Sequence, residues 1–108
     1  MIATALTLLM LAAPARVQVG ADEFGYTLSR QTIKAGPAIV QLANYGEDEH
    51  DLRLRRTGGT RIYRLGTVAP GDVAELEARF LPGRFRLWCS LADHRSRGMS
   101  ATLVVRKR

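Results

Sequence analysis

The sequence predicts an all-β domain folded as a Greek-key β-sandwich or barrel, and three observations carry that prediction. From Val17 onward, runs of branched and aromatic residues recur at close intervals, each too short for an ordinary helix. Turn chemistry separates them: Ala35-Gly36-Pro37, Asn44-Tyr45-Gly46, Thr57-Gly58-Gly59, Ala69-Pro70-Gly71 and Leu81-Pro82-Gly83. Several runs alternate apolar and polar residues with period two, the pattern of a strand with one buried face. Short strands evenly spaced by turns bury their apolar rows by stacking two sheets.

In chain order, residues 2–13 form an uncharged apolar run that leads into Ala13-Pro14-Ala15. The run is too short to cross a bilayer but suits the apolar stretch of a secretory signal, with small residues before the cut. We therefore expect a signal peptide over 1–15 and one mature domain over 16–108, exported to the periplasm or the extracellular space. The alternative is a hydrophobic first strand or helix, since no Lys or Arg precedes the run. Strands are predicted near 17–20, 23–28, 31–34, 38–44, 50–56, 61–66, 72–79, 84–89 and 99–106. Ala74–Ala78 has helical propensity, but Pro-Gly turns on both sides leave too little length for a stable helix.

Beyond the leader the chain holds one Cys, two His and one Met. Cys89, His94 and Met99 follow one another with four residues in each gap, and His50 lies upstream. Two imidazoles, a thiolate and a weak axial thioether are the donor set of a trigonal copper site. Soft sulfur favours Cu(I) and imidazole accepts either oxidation state, so such a cage passes one electron with little rearrangement. Strand parity supports convergence. His50 shares a face with Leu52 and Leu54, Cys89 with Phe85 and Leu87, and Met99 with Ala101, Leu103 and Val105. His94 alone comes from a loop and should lie nearest solvent. Taken singly, either His reads as a hydrogen-bonded surface residue and Cys89 as an inert buried thiol.

With these residues in place the sequence resembles the cupredoxins, the type 1 (blue) copper proteins. Leu42-Ala43-Asn44-Tyr45-Gly46 before His50, Pro82-Gly83-Arg84-Phe85 before Cys89, and the closing Gly98-Met99 carry the resemblance, with loop spacing most like auracyanin and rusticyanin. It implies one copper ion on His50, Cys89, His94 and Met99. Many cupredoxins place an Asn after the first His to tie the ligand loops together. Here Asp51 stands in that position and accepts backbone N–H bonds in the same way, or is simply an exposed solubilising acid. Ser90 is expected to donate to the metal-loop backbone. Two electron routes are implied: the edge of His94, in an apolar patch with Leu91, Ala92, Gly98 and Tyr45, and the outward-facing Trp88 beside Cys89. Packing under a neighbouring loop is the other reading of Trp88.

Sixteen Lys and Arg against ten Asp and Glu leave a net charge of +6. Most of the arginines fall on outer sheet faces, where charge is usually just solvated. Arg95 and Arg97 flank His94 and are expected to steer an acidic redox partner toward that pole, with Glu47, Asp48 and Glu49 before His50 as the acids that offset them. Nucleic acid is a poor partner, because no aromatic platform accompanies the arginines. Peripheral contact with anionic membrane is compatible with the charge, and we expect a monomer. Three function classes follow: an exported electron carrier, a protein that buffers or delivers copper, and a cysteine enzyme using Cys89, His94 and Asp93. The last leaves Met99 idle and has no evident Gly loop to donate to an oxyanion, so no enzyme activity is expected.

Overall fold

The computed structural model describes residues 13–107. Most of the expected signal peptide, residues 1–12, lies outside the described residues. Nine strands follow: β1 (Ala15–Asp22), β2 (Gly25–Leu28), β3 (Thr32–Lys34), β4 (Gly36–Asn44), β5 (His50–Arg56), β6 (Ile62–Val68), β7 (Val73–Phe80), β8 (Gly83–Trp88) and β9 (Ser100–Arg106). Each lies on a predicted segment, with ends moved by a few residues, and Ala74–Ala78 is a strand.

The strands form two sheets, ordered β2-β1-β4-β7 and β3-β9-β8-β5-β6. Successive strands cross between sheets at β2–β3, β3–β4, β4–β5, β6–β7 and β7–β8, which makes a sandwich of crossing connections. The β1/β4 and β3/β9 pairs are parallel and the rest antiparallel. Period-two burial sets the core. Val17, Val19, Val40 and Leu42 point in from the first sheet; Leu52, Leu54, Phe85, Leu87 and Leu103 meet them from the second. At one end Phe80 packs between Phe85 and Tyr63, with ring centroids 4.7 and 5.0 Å apart.

The register brings the start of β5, the end of β8 and the start of β9 to the other end. Arg53 is opposite Trp88, and Trp88 is opposite Ser100. A bulge between His50 and Leu52 shifts the β5/β6 register there. Buried Asn44 fastens the adjoining loop. Its amide donates to the carbonyls of Asp48 (2.8 Å) and Val68 (2.9 Å), and its carbonyl accepts from Gly46 N–H at 2.9 Å.

Candidate metal centre

Three of the four predicted ligands sit where a strand meets its loop. His50 opens β5, Cys89 follows β8, and Met99 immediately precedes β9. His94 lies in a run of tight turns between the last two, where its N–H bonds Leu91 O at 3.0 Å. Met99 N–H donates to His94 O (3.1 Å) and Cys89 N–H to Met99 O (3.2 Å), so the loop is pinned to itself at the ligand positions. Gly98 permits the return. Its φ is +124°, and an added Cβ would lie 3.0 Å from the Phe24 carbonyl oxygen.

His50, Cys89 and His94 converge, with one donor atom from each all within 4.8 Å of one another. The Cys89 Sγ lies 3.5 Å from His94 Nδ1, and the two imidazole rings are 5.0 Å apart at 57°. His50, Cys89 and Met99 are fully buried and His94 is 8% exposed, the ligand nearest solvent.

The donor set fits one soft cation. Both ring nitrogens of His50 are buried without a hydrogen-bond partner, an arrangement that costs free energy unless something else satisfies them. A Glu23 carboxylate oxygen stands 3.5 Å from Nε2, near enough for attraction though outside hydrogen-bond geometry. That leaves Nδ1 the freer of the two nitrogens. Burial pushes the Cys89 thiol above its ordinary range, opposed by the backbone N–H groups of Asp51 and Leu91. A cation takes the proton's place on such a sulfur. Tetragonal or all-oxygen metals suit this set poorly; type 1 copper suits it well.

Asp51 is buried and ties the ligand loops together. Its carboxylate accepts Ser90 N–H at 2.7 Å and the Ser90 hydroxyl, and Arg53 approaches it at 3.6 Å. The Ser90 hydroxyl therefore serves Asp51, where a bond to loop backbone was expected. Tyr26, unmarked by the sequence, donates its hydroxyl to the Asp51 carbonyl, and burial pushes its phenol strongly upward. Glu23 was also unmarked. It accepts N–H bonds from Glu47 (2.7 Å) and Asp48, which hold it down to about 2, the Asp48 bond being the larger cause. No local spacing announces Glu23 or Tyr26, because they reach the centre from the β1–β2 hairpin.

The surroundings of His94 differ from expectation. Tyr45 lies elsewhere, over Gly20 with its hydroxyl 3.3 Å from Gln18. Phe24 takes that place, its ring 5.2 Å from the His94 ring. Arg97 is bound to Asp93 at 2.7 Å and lies over Phe24 at 4.9 Å, while Arg95 turns away to cover Trp88 at 4.8 Å. Asp48 stands 3.7 Å from His94 Nε2. At the pole Arg97 is matched by Asp93 and Arg95 is drawn off to Trp88, which leaves Glu23 and Asp48 as the charges nearest the two imidazoles. Trp88 is half-buried, facing outward under Arg95.

Solved structures share this chain path at low identity. Auracyanin of Roseiflexus castenholzii superposes with a TM-score of 0.69 at 14% identity, covering 86% of this chain and 98% of its own. Auracyanin A, a "blue" copper protein of Chloroflexus aurantiacus, gives 0.69 at 14%, covering 86% and 99%. The fold is the cupredoxin fold. Amicyanin of Paracoccus versutus, another cupredoxin, gives 0.59 at 17%, covering 83% and 80%. Neither a protein-family model nor a curated protein matches the sequence. The likeness to these cupredoxins is one of chain path, and the copper-type donor set is a property of this chain's own His50, Cys89 and His94.

Proposed function

We propose that this chain is an exported type 1 copper protein that carries single electrons between redox partners, with His50, Cys89, His94 and Met99 holding the ion. The observation that carries the reading is the convergence of three buried donor atoms within 4.8 Å, one of them on an imidazole with no other partner. Copper in such a cage supplies a one-electron Cu(II)/Cu(I) couple. The protein's part is to keep the cage unchanged between the two states. Cys89, His94 and Met99 are locked by backbone bonds, and Asp51 with Ser90 fixes the loop behind them. His94 at the pole and Trp88 on the flank are the two proposed electron routes; the partner is a redox protein with an acidic docking surface, for which the acids beside the imidazoles favour the Trp88 route.

Export rests on the apolar run before Ala13-Pro14-Ala15, and a cut after Ala15 leaves the β1/β4 pairing intact from Arg16 onward. We read the domain as a monomer and not as an enzyme, since no His remains for a second copper or a general base. Burial of the donors favours retention of the ion over its delivery. The test is to add Cu(II) to the purified domain and record visible and electron-spin-resonance spectra. Intense blue colour and a thiolate-type copper signal are the expected result; a colourless mixture overturns the reading. Rapid loss of copper to a chelator, with slow electron exchange, would instead mark a buffering or delivery protein.

A further inference from the structure

Arginine is concentrated on one face of this protein. On the outer surface of β6-β5-β8-β9, Arg64 stands opposite Arg53, Arg53 opposite Trp88, and Arg55 opposite Arg86. Arg84 shares the row of Arg86, and Arg95 reaches the same surface by lying over Trp88. Like charges directly opposite across antiparallel strands are destabilising, so the Arg53/Arg64 and Arg55/Arg86 pairs work against the fold. Among the described residues, only Arg53 of these six has a carboxylate within 4.0 Å, Asp51 at 3.6 Å, and Ser90 already occupies that group. Arg86 is steadied by Thr102 Oγ1 (3.1 Å) and Ser100 Oγ (3.2 Å), hydroxyls that orient its fork without neutralising it.

The acids are gathered elsewhere. Glu23, Glu47, Asp48 and Glu49 lie at the metal pole, where Asp93 is matched by Arg97, and Glu75 and Glu77 lie on the other sheet. An acidic partner is therefore repelled at the pole and attracted at the flank.

We propose that the outer face of β6-β5-β8-β9 is the docking surface for an acidic face of a partner protein, whose carboxylates bind the unpaired guanidinium groups around Trp88. That the partner exchanges electrons rests on the copper reading; that it is acidic and docks here does not. The cations of this face are all arginine, whose planar fork takes carboxylate in paired bonds. Strand spacing of about 4.8 Å sets the forks in rows on a rigid platform. A lipid surface suits it less well, because among the described residues Ile62 at the margin is the one exposed large apolar side chain on this face, and shallow insertion needs more.

The test uses isotopically labelled, metal-free protein titrated with poly-L-glutamate at low salt, followed by NMR. Expected are shifts centred on outward residues of β5, β6 and β8 and on the Trp88 indole. Affinity should fall about tenfold in the triple variant Arg55→Gln, Arg64→Gln, Arg86→Gln and stay unchanged in the control Arg30→Gln. Shifts centred on the metal pole, or around Arg30 and Lys34, overturn the proposal. So does tighter binding through the same arginines to phosphatidylglycerol vesicles than to the polypeptide. Because no copper is present, failure of the metal reading leaves this result standing, and the reverse.

Discussion

Glu23 and Asp51 are the residues on which the quality of the metal centre depends, although neither is a ligand. Glu23 presents a carboxylate to the Nε2 side of His50, which favours the tautomer with Nδ1 free and adds negative charge behind the ligand. Glu23→Gln keeps an oxygen for the Glu47 and Asp48 N–H groups but removes that charge. Copper affinity should drop about tenfold in chelator competition, and the reduction potential should rise, with the far-ultraviolet circular dichroism unchanged. Asp51→Ala removes the acceptor of two Ser90 bonds from a buried position. It should destabilise the metal-free protein by about 1–3 kcal/mol, read as a lower urea midpoint, with Asp51→Asn less affected because its carbonyl still takes the Ser90 N–H. Cys89→Ser leaves folding intact and abolishes the blue band, since a hydroxyl cannot supply sulfur-to-copper charge transfer.

Three loops and three strand ends meet at the pole, and their fit is decided by close backbone approach. The turn ending at Gly98 rests against the Phe24 carbonyl of the β1–β2 hairpin, so the ligand loop and the hairpin that carries Glu23 move together. Gly98→Ala forces a Cβ into that contact at a φ that side chains rarely adopt. A loss of about 1–3 kcal/mol is expected, with a perturbed copper spin-resonance signal as the sign that the loop has shifted. In the strands the ligands inherit the rigidity of the core. His50 and Cys89 continue the rows of Leu52, Leu54, Phe85 and Leu87, all fully or almost fully buried. Leu54→Ala, far from the metal, should cost about 2–5 kcal/mol in unfolding free energy and leave the visible spectrum of the surviving folded protein unchanged.

Across the molecule, charge is sorted: acids at the metal pole and on β7, arginines over the outer face of the larger sheet. Such sorting opposes stability and gives the protein a direction for association. Arg55→Thr, which relieves the repulsion with Arg86, should stabilise the domain by roughly 0.2–1 kcal/mol at low ionic strength. The gain should vanish in about 1 M salt, where screening acts within a few ångströms, and urea unfolding at the two salt levels measures both.

The nine strands were readable in the chain because their causes are local: alternation with period two, and turns built from Gly, Pro and Asn. The convergence of His50, Cys89 and His94 was readable for a related reason. Strand parity aims His50 and Cys89 into the core, and a short fixed gap holds His94 close to Cys89. Residues that act across the fold were hidden. Glu23, Phe24 and Tyr26 meet the centre from a hairpin more than twenty residues away in sequence from His50, and nothing in their own neighbourhood marks them. Charge was misread for the same cause. Arg95 and Arg97 adjoin His94 in sequence, yet one lies over Trp88 and the other is bound to Asp93, because a long side chain goes to the partner that packing offers. Local pattern sets which residues form strands and ligands, while long-range packing sets which groups support the metal and which face meets a partner.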